Sequence, residues 1–180
     1  MGCVVYTLGH STRSLDEVAG LLEAHRVTLL VDVRSLPGSR RHPQFDREVL
    51  ERELPARGIA YRHQKSLGGL RRPRPDSPNQ GWRNDSFRGY ADYMQTGEWK
   101  RALDELIEWA HHDRVAIMCA EAVPWRCHRS LIADGLVVRG VDVRHITGPG
   151  RAAPHVLTSF AHVEGIRITY PGLDTLPFDG

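Results

Sequence analysis

Lysine is nearly missing from this chain. Of 24 basic residues among 180, only Lys65 and Lys100 are lysines, which leaves 22 arginines against 22 acidic residues and a net charge of +2. That near balance argues against a broad basic surface, while arginine supplies rigid forks that match phosphate and carboxylate. Cysteine is scarce as well: Cys3, Cys119 and Cys127 form an odd, widely spaced set that makes no disulfide framework. No apolar run is long enough for a membrane helix, and no basic region followed by a long apolar one opens the chain. The Met-Gly-Cys start lacks the Ser or Thr that myristoylation needs, because position 6 is Tyr. Asn84-Asp85-Ser86 fits the glycosylation pattern but has no secretory context. There is no P-loop, no Gly-x-Gly-x-x-Gly turn, no repeat and no low-complexity tract. The expected setting is a reducing cytoplasm, with no membrane partner.

What is present is ordinary globular composition, 41% hydrophobic and 26% charged, enough for one core that buries roughly 70% of the unfolded surface. Apolar runs at Val4–Leu8, Thr28–Val33, Ile59–His63, Val115–Met118 and Val141–Ile146 read as strands. Between them lie helical patterns. Ser14 with Glu17 three residues on is a capping box ahead of Leu15, Val18, Ala19 and Leu22. Further helices are expected over Asp46–Leu54, Phe87–Met94, Trp99–Ala110 and Cys127–Arg139. Val156–Phe160 and Ile166–Tyr170, with Gly165 between, suggest a small C-terminal hairpin. The alternation predicts a single-domain α/β fold over 1–180, with a Rossmann-like, mostly parallel sheet of about five strands and helices on both faces. Two parts stand apart: a C-terminal extension over 148–180, and the stretch 65–85, whose 21 residues hold six Gly or Pro and four arginines. A loop of that length is either a functional lid or a floppy insertion.

In parallel sheets ligands bind beyond the carboxyl ends of the strands. The first strand delivers Gly9-His10-Ser11-Thr12-Arg13 there. The second delivers Asp32-Val33-Arg34-Ser35 and then Pro37-Gly38-Ser39-Arg40-Arg41-His42, and the fourth Cys119-Ala120-Glu121, followed by Pro124-Trp125-Arg126-Cys127-His128-Arg129. Asp32 interrupts an apolar run and must find a partner, with Arg34 two residues on and His10 nearby as candidates. Tyr6-Thr7-Leu8-Gly9-His10-Ser11, Asp32-Val33-Arg34 with Pro37 and Ser39-Arg40, Leu67-Gly68-Gly69, and Cys119-Ala120-Glu121 through Cys127-His128-Arg129 resemble the domain-of-unknown-function 488 family. The resemblance covers roughly residues 4 to 147 and implies a compact bacterial and archaeal α/β domain without an assigned reaction.

Each constellation has a structural reading beside its chemical one. Cys119, at a strand end and ahead of a helix start, is a candidate nucleophile or an inert buried thiol. The arginine that a Cys-x5-Arg phosphate loop needs at 125 is Trp, with Arg126 one residue late, which weakens a phosphatase reading. Glu121 and Asp32 can split acid and base roles, hold Mg²⁺ against a phosphate, or serve as ion-pair partners of arginine. Cys119, Cys127, His128 and His10 lack zinc-site spacing, so no metal site is expected. The arginines of 65–85 alternate with Trp82, Phe87, Tyr90 and Tyr93, a pattern suited to single-stranded nucleic acid or to a core-facing helix. The leading expectation is an enzyme, such as a hydrolase, acting on a phosphate-bearing substrate, nucleotide or nucleic acid. Its catalytic candidates are Glu121, Asp32, Cys119 and His10, and its substrate-binding candidates Arg34, Arg40, Ser11, Arg126, His128 and Arg129. No cofactor is evident beyond that Mg²⁺. A non-catalytic nucleotide or nucleic-acid module and a thiol enzyme using Cys119 are the alternatives.

Overall fold

A computed structural model describes residues 2–172 of the chain. The chain runs β1 (Val4–Gly9), α1 (Leu15–Ala24), β2 (Leu29–Asp32), α2 (Arg47–Glu53), β3 (Ala60–His63), α3 (Asp85–Tyr93), α4 (Gly97–His112), β4 (Val115–Cys119), α5 (Arg129–Val137), β5 (Asp142–Gly148) and β6 (Arg151–Pro154). A two-stranded hairpin, β7 (His162–Glu164) and β8 (Arg167–Thr169), follows. The main sheet has six strands in the order β3-β2-β4-β1-β5-β6; the first five are parallel, and β6 returns antiparallel to β5. This is the expected mostly parallel α/β sheet, one strand larger than its apolar runs suggest.

Strand alternation assigns the two faces. Tyr6, Leu8, Leu30, Ala116 and Met118 pack with Val18, Leu22 and Leu50 under α1 and α2. Val5, Leu29, Val31, Ile117 and Cys119 pack with Tyr90, Leu103 and Leu131 under α3, α4 and α5. The Ser14–Glu17 capping box opens α1, each side chain bonded to the other's backbone N–H. The chain leaves β1 through α1 toward β2, and leaves the adjacent β4 through α5 toward β5. Adjacent strands thus send their connections in opposite directions, which opens a crevice at their carboxyl ends.

One expectation about the tail needs correcting. Val156–Phe160 is not a strand; the hairpin pairs His162–Glu164 with Arg167–Thr169. After β5 the chain folds back as β6, with Gly150 at a φ of 68° in the turn. Residues 173–180 of the expected extension lie outside the described residues.

The stretch 65–85 starts with a short 3-10 turn (Lys65–Leu67) and then runs without regular structure, yet it is tied down along its length. Tyr90 donates to the Leu67 carbonyl at 2.8 Å and Tyr93 to the Ser66 carbonyl at 2.7 Å. The buried Asp92 carboxylate accepts from the Arg74 N–H (2.8 Å), the Ser77 hydroxyl (2.5 Å) and the Asn79 amide (2.7 Å). Gly89 allows the loop to lie on α3, since a Cβ there would sit 2.1 Å from the Arg71 carbonyl oxygen. Asn79 in turn accepts the Tyr170 N–H at 2.8 Å, joining loop and tail. Among the described residues no helix is long and apolar enough to cross a membrane.

Asp92→Ala leaves three donors without their acceptor, two of them on the buried Ser77 and Asn79, and is expected to cost about 2–3 kcal/mol in urea unfolding. Tryptic cleavage after Arg71 and Arg83, the loop arginines not followed by proline, should accelerate in step. Unchanged stability and unchanged cleavage would place the loop's anchor elsewhere.

Candidate active site

A cavity of about 490 Å³ opens at the carboxyl end of the sheet, lined among others by Arg34, Cys119, Glu121, Arg126, Cys127 and His128. Its size is in the ordinary range for small-ligand pockets. Leu70, held at a φ of 61°, and Gly69 bring the 65–85 loop into its wall, and Phe87 and Tyr90 of α3 close another side. Ser35 fixes the loop there by donating to the Gly69 carbonyl at 2.8 Å. Glu121 and Arg126 are exposed, and Trp125 beside them is 68% exposed.

The sequence candidates divide between the two faces. Asp32 shares its face with Leu30, and its Cα partner on β4 is Met118, so it lies on the α1–α2 side, away from Cys119. There it is fully buried and closed in. Arg34 grips it with Nε at 2.9 Å and Nη2 at 2.7 Å, its own backbone N–H adds a third bond at 3.1 Å, and Tyr61 donates at 2.6 Å. The remaining reach of Arg34 goes to the Phe45 carbonyl at 2.6 Å. His10 is buried on the same side, its ring stacked on Phe45 at 4.3 Å between centroids and its Nδ1 donating to the Ser11 carbonyl at 2.9 Å. Burial, followed by that hydrogen bond acting in the opposite sense, leaves its pKa lowered. Ser11, with a φ of 48°, uses its N–H on the Ala120 carbonyl, and Arg40 is exposed in the turn after β2. The expectation that His10, Asp32, Cys119 and Glu121 share one pocket is therefore corrected. Cys119 and Glu121 line the cavity; His10 and Asp32 do not.

Around Cys119 a different group assembles. Arg129, the first residue of α5, is 1% exposed and turns under the 119–122 turn. Its Nη2 donates to the carbonyls of Glu121 (3.1 Å) and Ala122 (3.2 Å) and its Nη1 to the Thr7 hydroxyl (3.3 Å), while Nε has no partner. Among the described residues no carboxylate forms an ion pair with it. The Thr7 hydroxyl bonds His145 Nδ1 at 2.5 Å, His145 Nε2 bonds His155 Nδ1 at 2.8 Å, and His155 Nε2 reaches Asp134 at 2.7 Å. Asp134 also takes the Tyr170 and Thr158 hydroxyls, each at 2.7 Å.

The two thiols in the cavity respond to this setting in opposite ways. Burial alone would raise the Cys119 thiol, but the hydrogen bond from Cys127, the Arg129 charge and the backbone at Glu121 outweigh it, and its pKa is lowered. Cys127 is raised well above the usual thiol value by its hydrogen bond to Cys119, by burial and by the charge on Cys119. As a thiol, Cys119 donates to the Glu121 carbonyl at 3.5 Å. As a thiolate, it receives the Cys127 S–H. His128 donates from Nε2 to the Val33 carbonyl at 2.7 Å, which leaves the Nδ1 lone pair 3.5 Å from Cys127 Sγ. Burial first of all holds His128 neutral, with a pKa of about 4.

Thr7, Cys127, Asp134, His145 and His155 were not among the candidates. Asp134 inside an apolar helix and His145 inside an apolar strand carry the same signal that marked Asp32, a polar residue interrupting a buried run. No cluster of three or more His, Cys, Asp or Glu able to hold a metal occurs among the described residues.

The sequence model for the family described as "Domain of unknown function DUF488" matches residues 14–136. The chain belongs to this family. The DUF488 match contains Asp32, Arg34, the 65–85 loop and the whole run from Cys119 to Asp134, whereas Thr7, His10, His145 and His155 flank it. No curated protein and no solved structure matches the chain.

Gly9 sets the height of the 119–122 turn in this DUF488 chain. A Cβ at Gly9 would lie 1.6 Å from the Glu121 carbonyl oxygen and 2.4 Å from its carbon, both backbone atoms that cannot swing aside. Gly9→Ala must displace the carbonyl that Arg129 and Cys119 share, and it should cost about 2 kcal/mol or more in thermal or urea unfolding. Acid should weaken the fold through histidine. His128 and His145 titrate at about 4 when folded and at about 6.5 when unfolded. The unfolded chain therefore binds more protons across that interval, so stability is lost as the pH falls through it and levels off below. The melting temperature should drop between about pH 7 and pH 5 at fixed ionic strength, and the drop should be smaller in His128→Gln.

Proposed function

We propose that this chain is a thiol-dependent enzyme in which the Cys119 thiolate is the nucleophile. The observation that carries the reading is Arg129, a guanidinium 1% exposed with neutral hydrogen-bond partners only. An ion buried without a counter-charge costs several kcal/mol. The anion its surroundings offer is the Cys119 thiolate, whose cavity face gives an electrophile its route of approach. Glu121 and Arg126 at the mouth offer one carboxylate and one guanidinium toward a polar substrate.

The same geometry supports the phosphate-site reading less well. Of its arginines, Arg34 is spent on Asp32 and Phe45, and Arg129 lies beneath the turn, outside the cavity lining. Only Arg126 remains at the mouth for an anionic group. A pair of acid and base carboxylates is not formed either, because Asp32 faces the opposite side of the sheet from Cys119.

The test is the pH dependence of Cys119 alkylation by iodoacetamide in a Cys3→Ser background, with mass spectrometry to assign the site. The midpoint for Cys119 should fall below the ordinary thiol value of about 8.5. Arg129→Met should raise it, Arg129→Lys should raise it less, and Glu121→Gln should lower it slightly, since the Glu121 charge opposes the thiolate. A Cys119 that resists alkylation in the folded protein, or titrates at or above the ordinary value, overturns the proposal.

A further inference from the structure

Cys127 has no part in simple nucleophilic attack by Cys119, yet the two side chains belong to one buried cluster and line the same cavity. Both are free thiols. Cys3 takes no part: it precedes β1 at the opposite end of the sheet and bonds His111 at 3.1 Å. The pair is also asymmetric in position. Cys119 ends a buried strand above the Arg129 charge. Cys127 sits at the entry to α5, where its sulfur accepts the Arg129 backbone N–H at 3.4 Å and hydrogen-bonds His128 Nδ1 at 3.5 Å.

Resting on the thiolate reading above, we infer that Cys119 and Cys127 work as a dithiol that reduces a small disulfide admitted to the cavity. The Cys119 thiolate attacks one sulfur of the substrate; the new Cys119–substrate disulfide forms as the substrate's own S–S bond breaks, and the first thiolate leaves. Cys127 then gives its proton to the first departing thiolate and attacks Cys119 Sγ. The Cys119–Cys127 bond forms, the mixed disulfide breaks, and the second substrate sulfur departs as a thiolate. Two electrons pass from the protein dithiol to the substrate, which leaves as two thiols, one of them as thiolate. The division of labour follows general thiol exchange chemistry: the attacking sulfur is the one held as thiolate, and the resolving sulfur stays protonated until the mixed disulfide is in place. Both sulfurs open on one cavity, whereas Cys3 lies at the other end of the sheet.

The experiment uses the full chain with Cys3→Ser and two probes, glutathione disulfide and hydroxyethyl disulfide, read by intact mass and free-thiol count under non-reducing conditions. The Cys3→Ser protein should lose both thiols and end two hydrogens lighter, with no adduct retained. Cys127→Ser should stop as a stable mixed disulfide on Cys119, and Cys127→Ala should do the same if serine perturbs folding. Cys119→Ser should stay unreacted. If Cys119 alkylates readily but the Cys3→Ser protein stops at a mixed disulfide or forms none, the dithiol inference falls and the thiolate nucleophile stands. If Cys119 reacts with neither iodoacetamide nor disulfide, both fall.

Discussion

The buried guanidinium of Arg129 is the constraint from which the rest of the site follows. An arginine fork only donates, so each group that meets it must accept. Two of those groups are the carbonyls of Glu121 and Ala122, which fixes the 119–122 turn and needs Gly9 bare beneath it. The third is the Thr7 hydroxyl, whose own proton is thereby free for His145. The direction propagates: His145 donates to His155, and His155 to the Asp134 carboxylate. A cation at one end and an anion at the other are joined through neutral groups, with burial as the main reason that His145 stays uncharged, at about 4. Asp134 then recruits Thr158 and Tyr170, so the docking of the tail across the sheet is part of the same accounting.

Much of this architecture is legible in the residues. The apolar runs give the parallel strands, Ser14 and Glu17 give the start of α1, and the crowding of reactive types after β1, β2 and β4 marks the correct rim of the sheet. The side of the sheet on which each falls is not legible, because that depends on register between strands distant in sequence. Asp32 aligns with Met118 rather than with Cys119, and this single offset sends it to the other face. Its partner was within reach of sequence reasoning: Arg34, two residues on in an extended chain, is where a buried carboxylate would be satisfied. β6 was invisible for another reason. Arg151-Ala-Ala-Pro has no strand preference and is ordered only as the return arm of a turn on β5, at a sheet edge where Pro154 is tolerated. The tail hairpin misled by hydrophobicity, since Val156 is 82% exposed and the true strands carry His162, Glu164 and Arg167.

The arginine excess also reads differently once partners are visible. Arg47, Arg57, Arg74, Arg88, Arg139 and Arg144 pair with Glu51, Asp16, Asp76, Asp85, Asp104 and Asp142, and Arg34 pairs with Asp32. Others serve aromatic faces, as Arg71 does over Tyr93 at 3.7 Å and Arg62 over Trp109 at 4.6 Å. The planar fork is used chiefly inside the molecule, on carboxylates, carbonyls and rings. Exposed pairs of this kind add little stability each. Of the arginines that cluster along the chain, Arg71, Arg74, Arg88 and Arg129 are used within the molecule in this way.

What remains distinctive is one cation shared by two thiols. Arg129 lowers both, yet the two cannot both ionise: once Cys119 carries the charge, Cys127 must keep its proton to donate to it, and its pKa is driven up by the very anion it supports. The pair therefore titrates as a unit. A lone thiolate over a buried arginine would meet the electrostatic need equally well, so the second sulfur is surplus to stability. Its position, at a helix entry on the same cavity as Cys119, is what a second chemical step requires. Access to both sulfurs runs through a cavity walled by Gly69 and Leu70, and those residues are held by Ser35 from the strand side and, through Leu67, by Tyr90 from α3. The long aperiodic loop is thus built into the site as a wall, and the polar anchor at Asp92 that orders it also sets the shape of the opening to the thiols.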